Sequence, residues 1–209
     1  MNSISMLQPI PKLDDSATPA SDLLTTATQL LQSGQVVAFP TDTVYGVGAD
    51  PFNPDAIQQL FDLKGRPDNK PIPLLVSTVD QVEQVAEDIP PLFFELAEQH
   101  WPGALTLVLE AKDHLPTAVT AGRSTVGVRM PAHDLACQLI HIFGRPIATT
   151  SANRSDYPPA TTASGVVDQL GDDILVLDGG LTKIQLSSTV LDLTTDPPLF
   201  LRKGSVTLS

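Results

Sequence analysis

Cysteine is nearly absent from this chain: Cys137 is the single one in 209 residues. No intrachain disulfide can form, and the usage fits a reducing, cytoplasmic compartment. Positive charge is also scarce, with 12 Lys and Arg against 24 Asp and Glu and a formal net charge of −12. Such a surface repels phosphate backbones and anionic membranes, so any affinity for anions must be local. No apolar run approaches the roughly 20 residues a membrane helix needs. The opening stretch MNSISMLQPIPKLDDSATPAS lacks the basic-then-apolar layout of a signal peptide and reads as a flexible polar tail over residues 1–20. Two nucleotide-binding fingerprints are missing as well. Gly46 and Gly48 give G-x-G, but Pro51 stands where the third glycine belongs, and no phosphate loop of the form G-x-x-x-x-G-K-S/T occurs.

What is present is a folded chain, 42% hydrophobic, with apolar runs throughout. Ser21 is the expected cap of a helix through SDLLTTATQLLQSG, closed by Gly34. QVVAFP reads as a buried strand, and TDTVYGVGAD as the loop after it. Asn53 and Pro54 open a helix through NPDAIQQLFDLKG. IPLLV, TLVLEA, TVGVRM, PIATT, DILVLD, STVLDL and LFLR read as strands. TVDQVEQVAED, PPLFFELAEQH, PAHDLACQLIHIFG and ASGVVDQLG read as helices. This alternation with short connections predicts an α/β fold, a single domain over 21–209 whose mixed twisted sheet is flanked by helices.

In such folds ligands gather where strands run out into loops. Four of these exits, FPTDTVYG, ATTSAN, SSTV and LRKGS, carry small hydroxyl or amide side chains suited to a phosphate or carboxylate. The stretch LKGRPDNK gathers Lys64, Arg66 and Lys70, a quarter of the 12 basic residues, into eight positions. On a regular helix Lys64 and Arg66 would diverge; in a turn broken by Gly65 and Pro67 both can face one anion. His133, Cys137 and His141 share a helical stripe, yet a fourth metal ligand is not evident and a free Cys is commonly a small core hydrophobe. Asp42 and Asp50 could help hold Mg2+, although acidic loop residues are plentiful here.

Taken together, FPTDTVYGVGAD, LKGRP, WPGALTLVL, TAGRSTVGVRMPAH, TSANRS, SSTVLDL and LRKG run in order through residues 36–204. In these segments the chain resembles the YrdC/YciO-type family, whose best-known members are threonylcarbamoyl-AMP synthases. The resemblance implies that threonine, bicarbonate and ATP (with Mg2+) give threonylcarbamoyl-AMP and pyrophosphate. The product would pass to a tRNA-modifying partner complex, and direct contact with tRNA is left open. Residue by residue, it implies that Lys64 and Arg66 hold ATP phosphates as the catalytic pair. Lys70, Thr125, Ser151, Asn153 and Arg202 would complete the nucleotide site. Thr43, Arg129, Thr149 and Ser188 would surround threonine, with the Arg129 fork on its carboxylate.

The chain departs from the family pattern at three places. No histidine stands in PIPLLVST, Ser155-Asp156 replaces Ser-Gly, and Ser187-Ser188-Thr189 replaces Glu-Ser-Thr. With Ser209 as the last residue, the resemblance is to the short form, without the extra C-terminal domain. The alternative is a non-catalytic RNA-binding or ribosome-associated module of the same fold, against which the net charge of −12 counts.

Overall fold

A computed structural model describes residues 20–65 and 70–208. Arg66 and the expected tail therefore lie outside the described residues, apart from Ala20. That residue opens α1 (Ala20–Gln32), so Ser21 stands inside the helix rather than at its cap. Gly34, at φ 81°, turns the chain toward β1 (Val37–Phe39).

The stretch read as a loop then contains a strand, β2 (Gly46–Ala49). Crowding across the sheet is what selects its glycines. A Cβ on Gly46 would lie 2.6 Å from Thr149 Cγ2, and one on Gly48 would lie 2.6 Å from Ile147 Cγ2.

Asn53 caps α2 (Pro54–Lys64) as expected, its Oδ1 accepting from the amides of Asp55 at 3.0 Å and Ala56 at 3.2 Å. Gly65 ends this helix at φ 57°, the left-handed conformation that glycine adopts freely. The chain continues through β3 (Leu74–Leu75) and a 3-10 turn over Val79–Gln84 where an α-helix was expected. Next come β4 (Ala86–Glu87), α3 (Pro91–His100), β5 (Leu105–Ala111), α4 (Thr117–Thr120) and β6 (Thr125–Arg129). The last elements are α5 (Asp134–Phe143), β7 (Ile147–Ser151), α6 (Ala163–Leu170), β8 (Leu175–Val176), β9 (Thr189–Asp192) and β10 (Leu199–Arg202). β4 and α4 were not anticipated, because two and four residues are too few to show a period.

The ten strands among the described residues form one sheet in the order β10-β9-β5-β6-β3-β7-β2-β1-β8, with β4 off this path, pairing with the C-terminal end of β5. β1 with β8, β3 with β6 and β5 with β9 run parallel, and the other pairs run antiparallel. This is the mixed, helix-flanked sheet that the sequence predicts.

The two faces are covered differently. On one, Ile57 and Leu60 of α2, Phe93 of α3 and Val166 of α6 share a core with Val47, Leu107 and Val128. On the other, Leu24 and Leu31 of α1 and Leu139 and Phe143 of α5 pack on Phe39, Leu75, Ile147 and Leu175. No residue of β5, β6 or β9 belongs to that second layer. Strand alternation therefore leaves Thr106, Val108, Thr125, Gly127, Arg129, Val190 and Asp192 on a stretch of sheet that this helical layer does not fill.

Candidate active site

A cavity of about 310 Å³ opens on that stretch. Six of the residues singled out in the sequence line it: Thr43, Thr149, Ser151, Arg129, Ser188 and Arg202. Thr125 lines a second cavity of about 260 Å³, which shares Pro71, Pro73, Thr106 and Arg202 with the first. The two spaces are neighbours on one sheet face, with the Arg202 guanidinium between them.

Arg129 ends β6, where the strand delivers its side chain into the first cavity. It is buried, 7% exposed, and tightly held. Nε donates to the Gly103 carbonyl at 2.9 Å, Nη1 donates to Thr43 Oγ1 at 3.1 Å, and Nη2 donates to Asp42 Oδ1 in a short ion pair. Three of the five N–H groups are thereby used, leaving two for a ligand. Burial pushes the guanidinium below its ordinary value while Asp42 pulls it back up. The outcome is a desolvated cation in fixed geometry, the state in which a planar carboxylate gains most from a bidentate contact.

The opposite wall is a small hydroxyl network. Thr106 Oγ1 and Ser188 Oγ lie 2.8 Å apart, and Arg202 Nη2 donates to Ser188 Oγ at 2.9 Å. Arg202 Nε holds the Ser188 carbonyl at 2.9 Å, so β9 and β10 fix the serine from both sides. Burial also lowers the Arg202 guanidinium from its ordinary value.

Lys64 and Asn153 line neither cavity; they brace the site from behind. Lys64 is 5% exposed at the C-terminus of α2. Its ammonium donates to the Ser151 carbonyl in a short contact, to the Asn153 carbonyl at 2.7 Å and to Asn153 Oδ1 at 3.3 Å. The Ser155 amide returns a bond to the Lys64 carbonyl at 3.1 Å. Asn153 spends its amide nitrogen on the carbonyls of Arg154 and Tyr157, both at 2.8 Å. The two motifs that are 87 residues apart in sequence are thus knitted into one corner. Lys70 is exposed beside Pro71, which lines both cavities.

Two departures from the family pattern have visible consequences. Asp156, where glycine is usual, sits at φ 68°, the left-handed region in which glycine is at ease. Ser187 lines the first cavity beside Ser188.

Sequence reasoning did not single out Thr106, which lines both cavities, or the contact that Asp42 makes. Asp42 was weighed only for Mg2+, whereas it is the counterion of Arg129; Asp50 pairs with Arg145 at 3.3 Å. A signal did exist for Thr106, a lone polar residue alternating with core leucines in LTLVL. Among the described residues no cluster of three or more His, Cys, Asp or Glu side chains could hold a metal ion, and His133, Cys137 and His141 form none. No helix among them is long and apolar enough to cross a membrane.

The α/β sheet thus carries a buried arginine, a cavity rich in hydroxyls and a second chamber alongside, chemistry that suits an anionic small molecule. The Sua5/YciO/YrdC family profile, described as telomere recombination, matches residues 29–204, and the chain belongs to that family. The threonylcarbamoyl-AMP synthase of Pyrococcus abyssi is 43% identical over 183 residues, covering 87% of this chain and 54% of its own length. That of Bacillus subtilis is 44% identical over 183 residues, covering 87% and 53%. The chain thus spans about half the length of these curated relatives. A crystal structure of P. abyssi Sua5 complexed with L-threonine is 40% identical, with a TM-score of 0.85 over 90% of this chain and 56% of that one.

Proposed function

We propose that this chain is a threonylcarbamoyl-AMP synthase: it condenses threonine, bicarbonate and ATP to threonylcarbamoyl-AMP with release of pyrophosphate. The observation that carries the reading is the Arg129 fork, desolvated and preset by Asp42, Thr43 and Gly103 in a cavity rich in hydroxyls. The names of the relatives in P. abyssi and B. subtilis support the same reaction.

In this reading the threonine carboxylate sits on Arg129, with Thr43, Thr149 and Ser188 around the rest of the amino acid. The amine, freed of its proton, takes up bicarbonate and loses water to give a carbamate. A carbamate oxygen attacks the α-phosphate of ATP, the bond to the β-phosphate breaks, and pyrophosphate leaves. The protein need form no covalent bond, so its work is positioning and neutralising charge.

Arg202, between the two cavities, faces the phosphates together with Ser151 and Lys70, while Arg66, outside the described residues, keeps the phosphate role that the family resemblance implies. Lys64 and Asn153 fix the Ser151 corner and lend it positive potential. Thr125 lies toward the nucleoside. Among the described residues no carboxylate lines the first cavity, which favours Mg2+ entering bound to the nucleotide as part of the substrate. The product would go to a tRNA-modifying complex in the cytoplasm, and the short supply of positive charge argues against a separate tRNA-binding role.

The test is pyrophosphate release from ATP with bicarbonate present, comparing threonine, serine and no amino acid. Release that requires both threonine and bicarbonate is expected. No release from folded protein would overturn the assignment in favour of a binding module.

A further inference from the structure

The sheet ends in two unlike edges. At one, β8 has two residues and the protein uses both: Leu175 is buried with Leu24 and Leu139, and Val176 packs on the opposite core. At the other, β10 has four residues, and all four are exposed. Leu199, Phe200 and Leu201 are 54%, 42% and 50% exposed, and none of them belongs to either core. Among the described residues no strand pairs with the outer side of β10.

The pairing with β9 shows how these residues are disposed. Leu199 stands opposite Asp192 and Arg202 opposite Val190, both of which line the second cavity, while Phe200 stands opposite Leu191 of the core. The register shifts between Phe200 and Arg202, and the extra residue, Leu201, also lines that cavity. β10 is thus apolar on both faces of the sheet. A strand with one solvated face alternates apolar and polar residues, whereas a continuous apolar run belongs to a strand covered on both faces. Pro197, Pro198 and the bulge limit how far a neighbour can pair, but they leave the three side chains uncovered. Charge is laid out with one polarity along the same segment. Asp196 precedes the strand and Lys203 follows it, both exposed. Two such strands set antiparallel bring the acid of each toward the base of the other; set parallel, they would oppose like charges. Elsewhere a net charge of −12 makes two copies repel, so attraction between them has to be local.

We infer that β10 is the docking edge for a second copy of this chain: two β10 strands pair antiparallel about a two-fold axis, and Leu199, Phe200 and Leu201 of each copy pack against those of the other. Two-fold pairs are the commonest assembly of identical chains, and a segment whose two ends carry opposite charge is complementary to itself under that symmetry. The pairing gives the open backbone edge its missing partner and joins the two sheets into one. Because Leu201 is a wall of the second cavity, the second copy also comes to the rim of that cavity.

The experiment is sedimentation equilibrium of the full chain from about 1 µM to about 100 µM, the range suited to an interface at the small end of specific association. A dimer is expected within it. Leu199→Lys and Phe200→Glu should each leave a folded monomer, and the more exposed Leu199 keeps the test decisive should the Phe200 variant unfold. Lys203→Glu sets like charges together and should weaken association about tenfold. The exchange Asp196→Lys/Lys203→Glu reverses both ends at once and should restore it. A wild-type chain that stays monomeric over the whole range would overturn the inference. So would a dimer that Leu199→Lys leaves intact, which would put the interface elsewhere on the chain. A Lys203→Glu variant that associates like wild type, or an exchange no tighter than that single variant, would remove the antiparallel pairing.

Discussion

Asp42, just beyond the end of β1, and Arg129, at the end of β6, form a buried ion pair in which the two side chains are 3% and 8% exposed. Asp42 Oδ1 also accepts from the Ala132 amide at 3.2 Å, while its Oδ2 is buried without a hydrogen-bond partner. The carboxylate therefore does two things at once: it offsets the desolvated guanidinium and fixes the direction of its fork.

Removing one partner should be costly, because the other is left as an uncompensated buried charge. Asp42→Ala is expected to lower stability by about 3–5 kcal/mol in urea denaturation. The double variant Asp42→Ala/Arg129→Met should regain most of that loss, since neither charge remains. It should nevertheless fail to bind threonine in a calorimetric titration. Threonine binding by the double variant would remove Arg129 from the amino-acid site.

Lys64 makes a second, different case. Its ammonium satisfies the carbonyls of Ser151 and Asn153 inside the protein. Lys64→Met leaves those acceptors without that donor, at a cost of about 1–3 kcal/mol. A fall in melting temperature should therefore accompany any fall in ATP affinity. A variant of undiminished stability would mean that the lysine is not a strut.

Tyr45 is fully buried at the mouth of β2. Its hydroxyl accepts from the Gly179 amide at 3.1 Å and donates to the Gly180 carbonyl at 2.9 Å, with Asp178 Oδ1 at 3.2 Å. Tyr45→Phe keeps the ring and strips these groups, so about 1–3 kcal/mol of stability should be lost. Chemical denaturation against wild type measures it, and an unchanged midpoint would contradict the bonding described.

Burial holds His133 below its ordinary value of 6.5, outweighing Asp134 and Asp42, which raise it, while Lys183 adds to the lowering. Its buried Nδ1 has no hydrogen-bond partner. As pH falls below 6.5 the unfolded chain binds a proton before the folded one does, so this histidine's contribution to stability is lost on acidification and levels off below the folded value. Relative to wild type, His133→Asn should lose less stability between neutral pH and pH about 5. Unfolding free energies measured across that range would show parallel curves if the histidine titrates alike in both states.

The sequence reading succeeded where local chemistry and tertiary structure agree. Asn53-Pro54 and Gly65 bound α2 as capping rules require, and alternation in TVGVR placed Arg129 at the end of β6. It failed where a residue answers to a distant neighbour. The stretch with Gly46 and Gly48 was read as a loop because what selects them, contact with Thr149 and Ile147, is about 100 residues away in the chain. Asp42 looked like one acidic loop residue among many, for its partner lies 87 positions on. The cavity-lining hydroxyls Thr43, Thr149 and Ser188 were legible only as a set, in an order shared with a family, because any single one could equally serve a strand end.

The second helical layer stops short of β5, β6 and β9. The floor of the site is consequently a hydrogen-bonded lattice, already rigid before any ligand arrives. Little conformational freedom is left there to surrender on binding. Adaptation to a different ligand would thus proceed by single side-chain changes on a fixed plane, each altering the shape of the floor without disturbing its neighbours' backbone.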